Sequence, residues 1–170
     1  MNYKWIGAIL IIAACGGVGF SMAGSCRKRV NQLKQLIHSI QFMENELQYR
    51  LTPLPELCRI TGKRTNGSLG VVFLNLAREL DWQAEPEVAN CMAEAIRKSA
   101  SLSGEIKKHL FQLGGILGRY DLTGQLKELQ AVRTECEGAL RILSKDKDVR
   151  MRSYQTLGLC AGAALAILLA

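Results

Sequence analysis

The sequence predicts an all-α protein, a helical bundle of about six helices set between two transmembrane helices. Apolar residues recur at steps of three and four along most of the chain, and no stretch alternates with a period of two. Residues 5–26 and 154–170 contain no charged side chain, and basic residues follow the first and precede the second. We therefore expect a transmembrane anchor at 1–26, a cytoplasmic helical domain at 27–152 and a C-terminal transmembrane helix at 153–170.

The first apolar segment is long enough for a bilayer, whose core needs roughly 20 residues of helix. Arg27, Lys28 and Arg29 follow it directly and oppose translocation of what comes next. A run of small residues ending at Cys15 resembles a lipoprotein cleavage box, so a cleaved signal with an extracytoplasmic domain is the alternative. The apolar stretch continues well beyond Cys15, which favours a retained anchor.

The second apolar segment, 154–170, spans only about 25 Å as a helix, against a bilayer core of about 30 Å. Local thinning and snorkelling of Arg150 and Arg152 can close that gap, although the sequence leaves open whether this helix fully crosses. Small residues four apart form one face suited to close helix packing in lipid; they are Gly158, Gly162 and Ala166. Because basic flanks mark the cytoplasmic side, both termini are expected outside.

The first domain helix continues from the first anchor without a break. Its predicted inward stripe consists of Val30, Leu33, Ile37, Ile40, Met43, Leu47 and Leu51. The helix should end at Thr52-Pro53, because the residue before a proline avoids helical angles. A short helix then starts at Leu54, with Pro55 in its first turn, and is expected to end near Gly62.

Four further helices follow, joined by short polar segments. Asn66 or Ser68 is a candidate cap for the next helix, Pro86 opens another, and Ser103 is a candidate cap for the fifth. Asp121 or Thr123 starts the last helix, which contains no internal proline and can run on into the second anchor. Short connections favour antiparallel neighbours in a bundle.

Few patterns point to catalysis, to a cofactor or to a metal. The six cysteines include no CxxC pair, so zinc is not expected, and a reduced domain that uses cysteine as a small apolar residue fits best. Gly62, Gly67 and Ser68 lack the lysine of a phosphate-binding loop. The net charge of +7 lies largely beside the anchors, which favours membrane orientation over nucleic-acid binding. His38 and His109 are interpreted as ordinary surface or boundary residues.

Two corners between helices stand out as candidate docking sites for a partner protein. The first, within 46–56, is fixed by two prolines; its candidates are Tyr49, Arg50, Pro53 and Pro55. The second lies within 113–125, where glycines permit a close approach or a left-handed turn; its candidates are Leu117, Gly118, Asp121 and Gln125.

These two corners also carry a resemblance to a known family. The runs ELQYRLTPLPE at 46–56 and LGRYDLTGQ at 117–125, with YQTLG at 154–158 leading into the last anchor, resemble the stage III sporulation protein AB family of endospore-forming bacteria. The match covers essentially the whole chain. That family's cytoplasmic domain is similar to the helical domain of type II secretion F proteins, although those usually repeat the domain, whereas this chain has one copy.

The resemblance implies a non-enzymatic scaffold in a channel or secretion-like complex between mother cell and forespore. It implies a location in the mother-cell membrane around the forespore. The expected partners are a cytoplasmic secretion-type ATPase and other membrane proteins of the sporulation complex, and no cofactor is expected. The sequence leaves a homo-oligomer open. The competing interpretation is a membrane-bound enzyme with His109 or Asp121 in a pocket.

Overall fold

Six helices make up the part of the chain described by the computed structural model, which covers the backbone of residues 2–82, 87–99 and 102–169. Side chains are described for residues 24, 26–82, 87–99 and 102–145. The helices are α1 (Asn2–Arg50), α2 (Leu54–Arg64), α3 (Gly67–Trp82), α4 (Val88–Arg97), α5 (Gly104–Ile116) and α6 (Leu122–Leu169). No strand occurs in these ranges, so the all-α prediction is confirmed. The described residues form six helices, in agreement with the predicted number, and α1 and α6 continue through the segments predicted as anchors.

The chain divides into two compact units. One comprises residues 1–30 and 141–170, and the other comprises residues 31–140. Within the described side chains, no helix is long and apolar enough to cross a membrane. The predicted anchors, 1–26 and 153–170, lie outside those side chains except for Gly24 and Cys26, and the predicted domain boundaries stay predictions.

Local chemistry accounts for the helix ends in the second unit. α1 stops at Arg50, Leu51 takes a positive φ of 52°, and Pro53 precedes α2, which has a proline in its first turn. The Ser103 hydroxyl accepts a hydrogen bond of 3.4 Å from the N–H of Ile106, which confirms it as the cap of α5. Asp121 Oδ1 accepts one of 3.2 Å from the N–H of Gly124 and caps α6.

The core follows the predicted stripes on most helices, and α1 shows the main departure. Leu36 is fully buried although it was not predicted, whereas Ile37 is only half-buried. Leu51 was predicted inward and is 66% exposed, because α1 ends at the preceding residue and the chain turns away from the stripe. The fully buried side chains of the predicted α1 stripe are Leu33, Ile40 and Met43. In α3 and α5, the same spacing of three and four residues joins the fully buried Val72, Phe73, Leu76, Leu110 and Leu113.

The helices of the second unit run antiparallel between two ends, here called the tip and the base. A Cβ placed on Gly118 would lie 3.3 Å from Leu54 Cδ2 and 3.4 Å from Val88 Cγ2. The joins between α1 and α2, between α3 and α4, and between α5 and α6 therefore meet at one end, the tip. The joins between α2 and α3 and between α4 and α5 lie at the base, where the N–H of Ser103 donates a 3.3 Å hydrogen bond to Gln32 Oε1 of α1.

Two glycines let α2 and α3 approach closely at the base. A Cβ on Gly70 would lie 2.0 Å from the carbonyl oxygen of Thr65, and one on Gly62 would lie 2.9 Å from the backbone nitrogen of Leu74. Real Cβ atoms do not occupy such positions, so both sites require glycine. Gly62 and Gly70 thus serve the packing of α2 against α3.

Candidate partner-docking surface

The first predicted corner is presented to solvent at the tip. Tyr49 is 78% exposed, and Arg50 and Pro53 are also exposed, while Pro55 is half-buried in the first turn of α2. Arg50 Nη1 lies 3.7 Å from Glu46 Oε1 one helical turn earlier. The Arg50 side chain is 73% exposed whereas the Glu46 side chain is 12% exposed, so the guanidinium projects into solvent and can reach a partner.

The second predicted corner contains both exposed and buried candidates. Gly118 is exposed and has a φ of 75°, a left-handed conformation that ends the α5 segment. Asp121 is exposed, and its side chain is engaged as the α6 cap. Leu117 and Gln125 are 2% and 8% exposed, so in this conformation they support the corner from inside and do not present a surface.

The fold brings the two corners together, although more than 60 residues separate them in the sequence. The contact of Gly118 with Leu54 joins them directly. Around this contact the tip exposes several large apolar side chains: Tyr49 (78%), Leu51 (66%), Trp82 (88%), Tyr120 (48%) and Leu122 (39%). Trp82 is the last residue of α3, a helix that starts at the base, so it lies at the tip end of that helix. We call these five residues the tip surface.

Only three other large apolar side chains among the described residues are exposed to a similar degree: Val71, Phe111 and Ile142. The apolar surface is therefore concentrated at the tip. Of the five tip-surface residues, the sequence indicates only Tyr49 as a docking candidate. Leu51 was predicted to lie inward because its spacing continues the α1 stripe, but it lies one residue beyond the end of that helix. Leu122 is exposed at the first position of α6. Trp82 gave no periodic signal of its own.

Leu51 holds its exposed side chain in a strained backbone conformation. A non-glycine residue with positive φ is uncommon and costs of the order of 1 kcal/mol. The pair of prolines that follows prevents α1 from continuing and fixes this turn. The turn therefore fixes the backbone from which the Tyr49 and Leu51 side chains project into solvent.

The two residues named in the enzyme interpretation, His109 and Asp121, both form hydrogen bonds within the fold. His109, expected on a polar face, is instead 3% exposed, and its Nδ1 lies 3.1 Å from Gln112 Oε1. Gln112 Nε2 in turn donates a 3.0 Å hydrogen bond to Glu135, so the imidazole is part of a packing network between α5 and α6. No group of acidic, histidine or cysteine side chains in the described part could hold a metal ion.

Three described cysteines behave as small apolar side chains. Cys58, Cys91 and Cys136 are buried free thiols. Burial raises the pKa of both Cys58 and Cys136 to about 12 and also raises the pKa of Cys91. Because the thiolate is the reactive form, these groups are chemically inert in the folded domain.

The residues predicted to orient and pack the anchors are only partly described. Arg27, Lys28 and Arg29 are exposed on α1. Arg150, Arg152, Gly158, Gly162 and Ala166 lie outside the described side chains. Their proposed roles stay predictions.

Comparison with known proteins agrees with the resemblance seen in the corner motifs. The family model for stage III sporulation protein AB matches residues 4–170. Stage III sporulation protein AB of Bacillus subtilis (strain 168) is 26% identical over 169 residues, covering 98% of each chain. A solved structure of a stage III sporulation protein AB superposes with a TM-score of 0.63 at 22% identity, covering 72% of this chain and 98% of that one, and thus shares its fold. The chain belongs to the stage III sporulation protein AB family.

Proposed function

We propose that this protein is a non-enzymatic membrane scaffold of a secretion-like sporulation complex between mother cell and forespore. Two membrane spans hold the helical domain at the cytoplasmic face of the mother-cell membrane around the forespore. The tip surface docks a cytoplasmic secretion-type ATPase, and other membrane proteins of the complex contact the spans. The family membership supports the sporulation stage, and the similarity to secretion F proteins supports the type of partner.

The observation that carries the docking proposal is the concentration of exposed apolar side chains at the tip. Protein interfaces draw most of their binding energy from a few aromatic and arginine side chains surrounded by weaker contacts. Tyr49, Trp82 and Tyr120 provide aromatic groups, and the Arg50 side chain beside Tyr49 is 73% exposed. Aromatic groups beside an arginine are typical of the centre of a protein interface, from which water is excluded on binding.

The membrane placement is supported by the sequence pattern of the two ends. Segments 5–26 and 154–170 carry no charged side chain, and basic residues stand where each meets the domain. Such residues are enriched on cytoplasmic flanks. Within the second unit the residues of α1 nearest the first predicted span lie at the base, beside Ser103, and the proposal therefore assigns the tip to the cytoplasmic partner.

Substitution of Tyr49 tests the docking proposal. We expect Tyr49→Ser in the full-length chain to reduce capture of the ATPase from sporulating cells by about tenfold or more, the usual size of a central aromatic contribution. Val71→Ser is the control, because Val71 is 47% exposed but lies near the base end of the α2–α3 hairpin. The measurement is a quantitative pull-down in mild detergent, with circular dichroism to confirm folding.

If the wild type and the Tyr49 variant capture equal amounts of the ATPase, the proposal that the ATPase docks at the tip is wrong. Loss of capture in both variants would show that the ATPase does not recognise the tip in particular. Recovery of hydrolytic activity with no partner protein would favour the enzyme interpretation.

A further inference from the structure

A polar cleft at the base of the domain lies between α1 and the end of α2. Its volume is about 540 Å³, and its walls come from α1 residues 31–42 and from the segment 61–66. We call it the base cleft. This volume is within the range of small-molecule sites, which is roughly 300–1,000 Å³. The cleft lies entirely in the second unit and is separate from the tip surface.

The charged side chains of the base cleft are all of one sign. Lys34 comes from α1 and Arg64 from the last turn of α2, and no carboxylate among the described residues lines the cleft. Neither cation forms an ion pair with a described residue. The Arg64 guanidinium instead stacks over the ring of Phe42, 4.7 Å from its centroid. This stacking holds the cation at the cleft wall and leaves its N–H donors free for an anion.

The floor of the base cleft is already satisfied by internal hydrogen bonds. Ser39 Oγ lies 2.8 Å from the carbonyl oxygen of Gln35 and 2.8 Å from Thr65 Oγ1, which in turn lies 2.8 Å from the carbonyl oxygen of Thr61. These three contacts involve only two hydroxyl protons, one on Ser39 and one on Thr65. Neither hydroxyl therefore has a proton left to donate to a ligand. Recognition must therefore come from the rim.

The rim supplies N–H donors suited to an acceptor-rich ligand. Besides the two cations it carries the amide side chains of Asn31, Gln35 and Asn66. The C-terminal turn of α2 and the N-terminal end of α3 both border the cleft, so their opposite partial charges offset each other and the side chains set its sign. A phosphate group has the oxygens and the negative charge to satisfy such donors, and charged hydrogen bonds to Arg and Lys are the strongest of this class.

We propose that the base cleft binds a phosphate group, carried either by an anionic phospholipid headgroup or by a small soluble phosphate compound. The lipid source rests on the membrane placement in the proposed function. It is favoured because the cleft starts at Asn31, directly after the basic run Arg27–Arg29 that follows the first predicted anchor. Basic pockets beside a cytoplasmic membrane face commonly hold lipid headgroups.

The test measures ligand binding to the full-length chain in a neutral detergent. Isothermal titration uses three probes: short-chain phosphatidylglycerol, diacylglycerol with the same acyl chains, and sn-glycerol 3-phosphate. We expect phosphatidylglycerol to bind and diacylglycerol to bind at least tenfold more weakly, because only the former carries phosphate. Binding of glycerol phosphate with an affinity like that of phosphatidylglycerol would identify a soluble source, whereas binding of phosphatidylglycerol alone would identify the lipid.

Matched variants locate the site. Arg64→Gln should weaken phosphate binding by about tenfold, whereas Lys63→Gln removes the same charge from the adjacent exposed residue outside the cleft and should change it less than twofold. Arg64→Lys keeps the charge but loses the planar guanidinium that stacks over Phe42, so it should bind phosphate more tightly than Arg64→Gln and more weakly than the wild type. Circular dichroism of each variant separates loss of the ligand from loss of the fold.

Equal weakening by the Lys63 and Arg64 variants would overturn the proposal, because it would indicate diffuse surface charge. Equal binding of diacylglycerol, or no binding of either phosphate probe, would also overturn it. Capture of the ATPase by the same preparations reports on the tip separately, so failure of the base cleft and failure of the docking function give different results.

Discussion

Gly70 is the residue where helix packing depends most directly on glycine having no side chain. A Cβ there would meet the backbone oxygen of Thr65 at 2.0 Å, and a backbone atom cannot move aside as a flexible side chain can. We expect Gly70→Ala to lower the free energy of unfolding by about 2–3 kcal/mol, as overpacking usually does. Denaturant unfolding of the full-length chain in detergent, followed by circular dichroism, measures it.

Gly138→Ala is the matched control. Gly138 lies within α6, and nothing lies within 4 Å of a Cβ built on it. Alanine should leave the free energy of unfolding unchanged or raise it by up to about 1 kcal/mol, because glycine costs backbone entropy in a helix. An equal loss of stability in both variants would show that the α2–α3 approach is not the reason for glycine at position 70.

Individual residues also show where sequence reasoning stops. The periodicity of α1 correctly predicted Leu33, Ile40 and Met43 as core, because a buried stripe leaves a direct trace in the sequence. It misplaced Leu51, since one residue beyond a helix end the same spacing no longer implies the same face. The role of Gly70 gave no signal, because close approach depends on a neighbouring helix.

At the scale of elements, α1 and α6 are joined within the domain by a half-buried ion pair. Arg133 Nε donates a 3.1 Å hydrogen bond to Glu44 Oε1, and Arg133 Nη1 donates one of 2.9 Å to Glu137. The hydrogen bond to Glu44 is the main cause of a raised pKa of Arg133. The side chains of Arg133 and Glu44 are 23% and 15% exposed, so solvent screens this pair less than a surface pair.

A double-mutant cycle measures this link between α1 and α6. With Glu44→Gln, Arg133→Gln and the double variant, we expect a coupling free energy of about 1 kcal/mol in denaturant unfolding, near the upper end for partly exposed pairs. The control cycle uses Lys108 and Glu135, whose atoms lie 3.6 Å apart and whose side chains are 69% and 44% exposed. The coupling free energy of this control cycle should be close to zero. Similar coupling free energies in both cycles would contradict the conclusion that Arg133 and Glu44 stabilise the contact between α1 and α6 more than a surface pair does.

The helices could be predicted from the sequence more accurately than the contacts between them. The unbroken run of α1 from Asn2 to Arg50, and that of α6, could be anticipated because no proline interrupts them. The docking candidates were named as two separate corners, and their contact through Gly118 and Leu54 required the antiparallel arrangement. The base cleft was missed for the same reason, since α1 and α2 contribute its two cations separately.

For the whole molecule, the domain has two chemically different ends. The tip is apolar and aromatic, whereas the base carries the cleft with Lys34 and Arg64. Apolar side chains suit a protein partner, and an unpaired basic cleft suits an anionic surface or ligand. The proposed orientation, with the base toward the membrane and the tip toward the cytoplasm, accounts for both ends together.

Protease and antibody accessibility of tags tests this orientation most directly. The chain is expressed in non-sporulating cells with a tag at Met1, at Ala170 or within the α3–α4 connection at the tip, and intact protoplasts are compared with permeabilised ones. The account predicts that both terminal tags are accessible in intact protoplasts and that the tip tag becomes accessible only after permeabilisation. Terminal tags reachable only from the cytosol, or a tip tag exposed on intact protoplasts, would contradict the two-span scaffold.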